Sequence, residues 1–215
     1  TFTLSSAGVL ALRGTAGSLY DMLGAFTNAG TLQVVSGNLR CRDGQIYNLP
    51  GGLIDFQSDS DIANYSIGTE LLSNAGTVRK SGGTGLSTVD VAWRNGGAVD
   101  VQKGTLDWSE GGSIEPGSTF TGTGTNLFSG GTFSVATTAG IPNARLAGAA
   151  LVGVDGVGIL SGSWVWTSGS LGQQDNALTL ASPGVLKLKG ITGSVYDLLG
   201  ALTNAGTIQI VSGSL

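Results

Sequence analysis

The sequence predicts an all-β protein: one continuous parallel β-solenoid over residues 1–215, in coils of roughly 20–22 residues. Three observations carry that reading. Glycine fills 38 of 215 positions, too many for a helical protein, while a hydrophobic content of 40 % is enough to offset ordering entropy. Runs of four to six residues alternate apolar and polar, the period of a strand with one buried face. Those runs follow one recurring turn, mostly about 19–24 residues apart.

In chain order, Thr1-Phe2-Thr3-Leu4 reads as the first strand, and Gly17 to Phe26 breaks the alternation and predicts a short helical turn or bulged loop at a corner. Its copy runs from Gly193 to Leu202. The turn Asn28-Ala29-Gly30 then launches the strand Thr31-Leu32-Gln33-Val34, and recurs at Asn74, Asn95 and Asn204. Looser copies begin at Gly52, Gly131, Gly162 and Gly184. Glycine or asparagine at each bend supplies the positive φ that a corner demands. Stacked at one corner of successive coils, Asn28, Asn74, Asn95 and Asn204 form a structural ladder of side-chain amides.

Alternation also assigns the faces. Leu32, Val34, Leu39, Cys41, Ile54, Phe56, Val99, Val101, Leu106 and Trp108 point inward, as do Phe133, Val135, Leu186, Leu188, Ile208 and Ile210. Gln33, Arg40, Asp55, Asp100, Asp107, Lys187 and Gln209 point outward. Trp164 and Trp166 share a face around Val165 and are read as core.

A longer repeat overlies the coils. Residues 1–39 and 177–215 are identical at about 25 of 39 aligned positions, at a constant offset of 176 residues. The substitutions (Leu19 to Val195, Met22 to Leu198, Arg13 to Lys189) preserve burial and charge sign, so one structural environment occurs twice. Both segments look like windows on a tandem repeat of eight or nine coils, roughly 40 Å long at about 4.8 Å per coil. Neither end reads as a cap, so continuation through the same chain or a stacked neighbour is expected.

Composition narrows the chemistry. A net charge of -4, with Arg79-Lys80 as the longest basic run, argues against nucleic acid. Histidine is absent, so a nucleophilic triad lacks its base. Cys41 is the single cysteine and reads as a small buried hydrophobe. No run approaches the roughly 18 apolar residues of a membrane span.

The remaining motifs fall short of their chemistries. Asp55, Asp59 and Asp61 with Arg79 or Lys80 offer an acid cluster beside a base, but lack the glycine and terminal glutamate of a calcium loop. In 82–87 serine stands where a calcium nonapeptide needs aspartate, and 153–158 lacks nucleotide-loop spacing. Asp107 with Glu110 or Glu115 is a conceivable carboxylate pair, and the threonines of 119–125 occur once rather than on every coil.

The string Leu71-Leu72-Ser73-Asn74-Ala75-Gly76-Thr77-Val78-Arg79-Lys80-Ser81-Gly82-Gly83-Thr84-Gly85, with Trp93-Arg94-Asn95-Gly96-Gly97 downstream, resembles the repeats of large bacterial surface β-helix proteins. Haemagglutinin-like adhesins and autotransporter passengers share this style. The resemblance implies a parallel β-helix in an extracellular or cell-surface setting. The expectation is therefore a non-enzymatic fibre, stalk or adhesin shaft without cofactor, whose main partner is itself. The alternative is a cell-surface β-helix that binds or cleaves carbohydrate, with surface glycans as partners.

Overall fold

A computed structural model describes residues 1–65, 69–156, 158–174, 176–190 and 196–212. It is a parallel β-solenoid of about 10 turns of roughly 21 residues, with no helix among the described residues. Each turn has three sides. The first side is entered by Phe2–Leu4, the second by Val9–Arg13, and the third by the opening half of Leu19–Asn28, whose closing half returns to the first. The chain then repeats that order. Among the described residues every strand-to-strand ladder is parallel, and the one antiparallel bridge, Gln173 with Asn176, lies outside the strands.

Alternation builds the core as the sequence implies. On the third side Leu39, Ile62, Val89, Trp108, Phe128, Leu146, Trp166 and Leu188 stack in one inward column, all buried. Trp93 and Trp108 reach across the interior and stack at 3.9 Å between ring centroids. Trp164 and Trp166 are core residues, and Cys41 is buried, its thiol pushed up to about 12, chiefly by desolvation. Ile210 departs from the expected set: it is 59 % exposed because among the described residues no rung covers it.

Two further departures come from lateral neighbours. Asp55 and Asp107 lie on outward columns yet are buried. Asp55 sits beneath Arg79 of the next turn, which grips it with two hydrogen bonds of 3.0 and 2.8 Å.

The segment 17–26 is not a helical turn. Leu19–Asn28 is a ten-residue strand that passes a corner unbroken, and Gly24 at φ 80° makes the bend. The bend shifts the ladder register between Leu23 and Ala25, and that shift erases the period-2 pattern. Of the copy, 193–195 lie outside the described residues, while Asp197–Leu198 and Ala201–Asn204 are strands.

The two repeat copies occupy different sides. Phe2–Leu4 is on the first side, but its equivalent Ala177–Leu180 pairs with Gly158, Ile159 and Leu160 on the second. Val9–Arg13 is on the second side, and its equivalent Val185–Lys189 is on the third, in register with Trp164 and Trp166. Counting strands in order, the 176-residue offset spans 25 sides, which is eight turns and one side more.

Candidate functional site

The amide column is real but differs in membership. On the first side Asn28, Asn48, Asn74 and Asn95 follow one another in register, all pointing into the interior and buried. Each passes one N–H to the next carbonyl: Asn28 Nδ2 to Asn48 Oδ1, Asn48 Nδ2 to Asn74 Oδ1 and Asn74 Nδ2 to Asn95 Oδ1, each 2.7 Å. The same amides donate to the backbone of the following strand, at Leu53, Thr77 and Ala98. Leu4 precedes the column and Ile114 follows it, so it runs four rungs.

Asn48 had escaped the turn motif because Leu49-Pro50-Gly51-Gly52 follows it in place of Ala-Gly. Asn204 is elsewhere. It keeps the local motif, its Oδ1 accepting from Gly206 N at 3.1 Å as Asn28 Oδ1 accepts from Gly30 N at 3.2 Å, but it stands on the second side in register with Leu180.

The acid-and-base grouping divides: Asp55 stands apart, while Asp59 and Asp61 both keep Lys80 as a charged neighbour. Asp55 is held by Arg79. Lys80 points inward, fully buried, and its Nζ donates to Asp59 Oδ1 at 2.8 Å, Ser87 Oγ at 3.0 Å and Ser58 O at 3.2 Å. The hydrogen bond from Lys80 keeps the Asp59 carboxyl below its ordinary value. Asp61 accepts from Thr88 N at 2.7 Å. Among the described residues no three His, Cys, Asp or Glu side chains stand together as a metal set.

Asp107 and Glu110 both face Asp90, and Ser109 Oγ donates to Asp90 at 2.8 Å. Desolvation raises the carboxyls of Asp107 and Glu110, and repulsion by Asp90 adds to it. Glu115 is set apart beside Arg94 and Ser113. On the third side lies a shallow hollow of about 330 Å³, where Arg145 and Lys189 flank Val165 with Ser163 and Thr167 between them. It forms where the ladder between Thr138–Gly153 and Gly158–Leu171 slips at Ile141 and again after Leu146.

No family model, curated protein or solved structure matches the chain. The structure shows a parallel β-solenoid and supports no adhesin or autotransporter identity. No helix among the described residues is long and apolar enough to cross a membrane.

Proposed function

We propose that this chain is a length of extracellular or cell-surface shaft, a fibre, stalk or adhesin stem, that continues by repetition of its own turns. The observation that carries the reading is the parallel stacking of about ten turns, in which Val9–Arg13 on Thr31–Ser36 and Val185–Lys189 on Thr207–Ser212 pair in the same register with the same shift before the last pair. In such a molecule stability accumulates turn by turn, and the backbone amides of each rung are satisfied by the rungs on either side. The working contacts are then with the chain's own continuation or with another copy, and the role is mechanical rather than catalytic.

The mass of the native polypeptide under full denaturation tests this, together with electron microscopy. A chain far above 21.5 kDa, or threads of uniform width, supports the shaft. A monodisperse globular particle of one copy, with the last rung sealed by its own loops, defeats it.

A second reading, a carbohydrate-binding β-helix, draws on the hollow beside Arg145 and Lys189, which offers hydroxyls and cations to a glycan. Glycan binding abolished by Lys189→Gln would favour it.

A further inference from the structure

Charge is neutralised locally over much of this surface: Arg40 and Arg42 on Asp21, Arg79 on Asp55, Lys80 on Asp59 and Arg94 on Glu115. Beyond its first two rungs the third side is different. One outward column runs along it through Asp61, Thr88, Asp107, Leu127, Arg145, Val165 and Lys187, one residue per rung. Its early half is acidic, with Asp90 and Glu110 adjoining Asp107. Its later half is basic, with Lys189 two residues beyond Lys187 on the same strand. Among the described residues no ion pair reaches from either half to the other or neutralises Arg145, Lys187 or Lys189. Asp107 is nine-tenths buried, and its Oδ1 has no hydrogen-bond donor.

The order of these residues about Leu127 is antisymmetric in charge. Asp107 lies one rung before Leu127 and Arg145 one rung after it; Asp61 lies three rungs before and Lys187 three rungs after. A twofold axis lying in the plane of the third side, along the strand through Leu127, therefore brings acid opposite base at each charged rung of the column. We propose that the third side is a lateral self-association surface, on which a second copy lies antiparallel across a dyad at Leu127. Arg145 then faces the partner's Asp107 and Lys187 faces the partner's Asp61. Thr88 faces the partner's Val165, and Leu127 packs on the partner's Leu127.

A polyanionic glycan or a nucleic acid accounts for the basic half alone and leaves the acidic half unexplained. A second copy uses both, by the self-complementarity that a twofold contact requires.

Seven rungs at about 4.8 Å and strands about 13 Å wide give a face of about 400 Å², half of the ~800 Å² per partner of a standard interface. The pairing of single chains is thus weak and salt-sensitive. Along a repeated shaft it gains by multivalency. It needs only this chain, so its failure leaves the shaft reading standing.

The test exploits the dyad, where a residue meets its own copy. Leu127→Cys in the full chain should oxidise to a disulfide-linked dimer at low salt at least ~10-fold faster than Thr121→Cys on the second side. The advantage should vanish in about 0.5 M salt. Cys41 is buried and does not compete. In the Leu127→Cys background, Lys187→Glu should remove most of the rate advantage, as should Asp61→Lys, and mixing the two variants should restore it as a heterodimer. Cross-linking no faster than at Thr121, or indifferent to charge reversal, overturns the pairing. So does a parent chain that shows no fast dimer but binds dextran sulfate through Arg145 and Lys189, which would make the face a polyanion site instead.

Discussion

Asn48 contributes to the column from both ends: its Oδ1 accepts from Asn28 and its Nδ2 donates to Asn74. Asn48→Ala therefore strands a buried donor and a buried acceptor, and the cost should be about 1–3 kcal/mol for each orphaned group, read as a lower urea midpoint. Asn204→Ala should change the midpoint little, because Asn204 is exposed and satisfies only its own turn. The turn motif showed that asparagine belongs at these bends; register decided which asparagines meet. Alternation likewise sorted Leu32, Val34 and Ile54 correctly, since inward burial depends on the strand's own pleat. It did not foresee buried Asp55 and Asp107, because what covers an outward residue comes from other rungs. Desolvation raises Asp107, Asp61 and Glu110, so the folded chain binds protons there more tightly than the unfolded one. Stability should then rise as pH falls from neutral through their folded values. Asp21, held low chiefly by the Arg40 hydrogen bond, and Asp59, by that of Lys80, act oppositely. What they contribute is present above the ordinary carboxylate value of 3.8 and lost as pH falls below it through their folded values. A maximum in mildly acidic solution is expected in thermal melts, and Asp107→Asn should raise stability at neutral pH while flattening that rise.

At the scale of elements, corners decide what the sequence conceals. Most strands here are three to five residues long and end at a turn, so their pattern is easy to read. Leu19–Asn28, Thr138–Gly153 and Gly158–Leu171 instead run through corners as single strands that bend at positive-φ glycines, Gly24, Gly148, Gly162 and Gly169. Each bend shifts which residues face inward, so a single strand carries two phases of alternation and resembles neither strand nor helix. That is why 17–26 read as a helical turn or bulged loop; the bulge is there, as a register shift within a strand. Two corner glycines separate the causes of such bends. Gly24 has φ 80° with open space where a Cβ would stand, so Gly24→Ala should cost only left-handed strain, about 1–2 kcal/mol. Gly112 has φ 151° and would set a Cβ 1.8 Å from the Trp93 carbonyl oxygen one rung away. Gly112→Ala must push two rungs apart, and a loss above about 4 kcal/mol or failure to fold is expected. Equal melting temperatures for the two variants would refute this division between strain and crowding.

For the whole molecule, the decisive number is the 25 sides between repeat copies. Sequence arithmetic gives eight or nine coils per repeat, but a fractional turn is invisible to it, because sides and corners vary in length while residue count alone sets the offset. The remainder has a geometric consequence. If the 176-residue unit recurs along a shaft, each copy is turned by about one side of a three-sided prism, roughly a third of a revolution, and advances about 40 Å at ordinary strand spacing. Equivalent surfaces then wind around the axis and return to the same side only after three repeats. The charged third side described above would in that case face three directions in succession, so a shaft would meet neighbours all round rather than along one edge. Electron cryomicroscopy of a chain carrying at least three repeats checks this directly. A rise near 40 Å per repeat with a rotation of about 120° is expected, and a rotation near zero would show that the unit closes on a whole number of turns, contrary to the register found between Leu180 and Asn204.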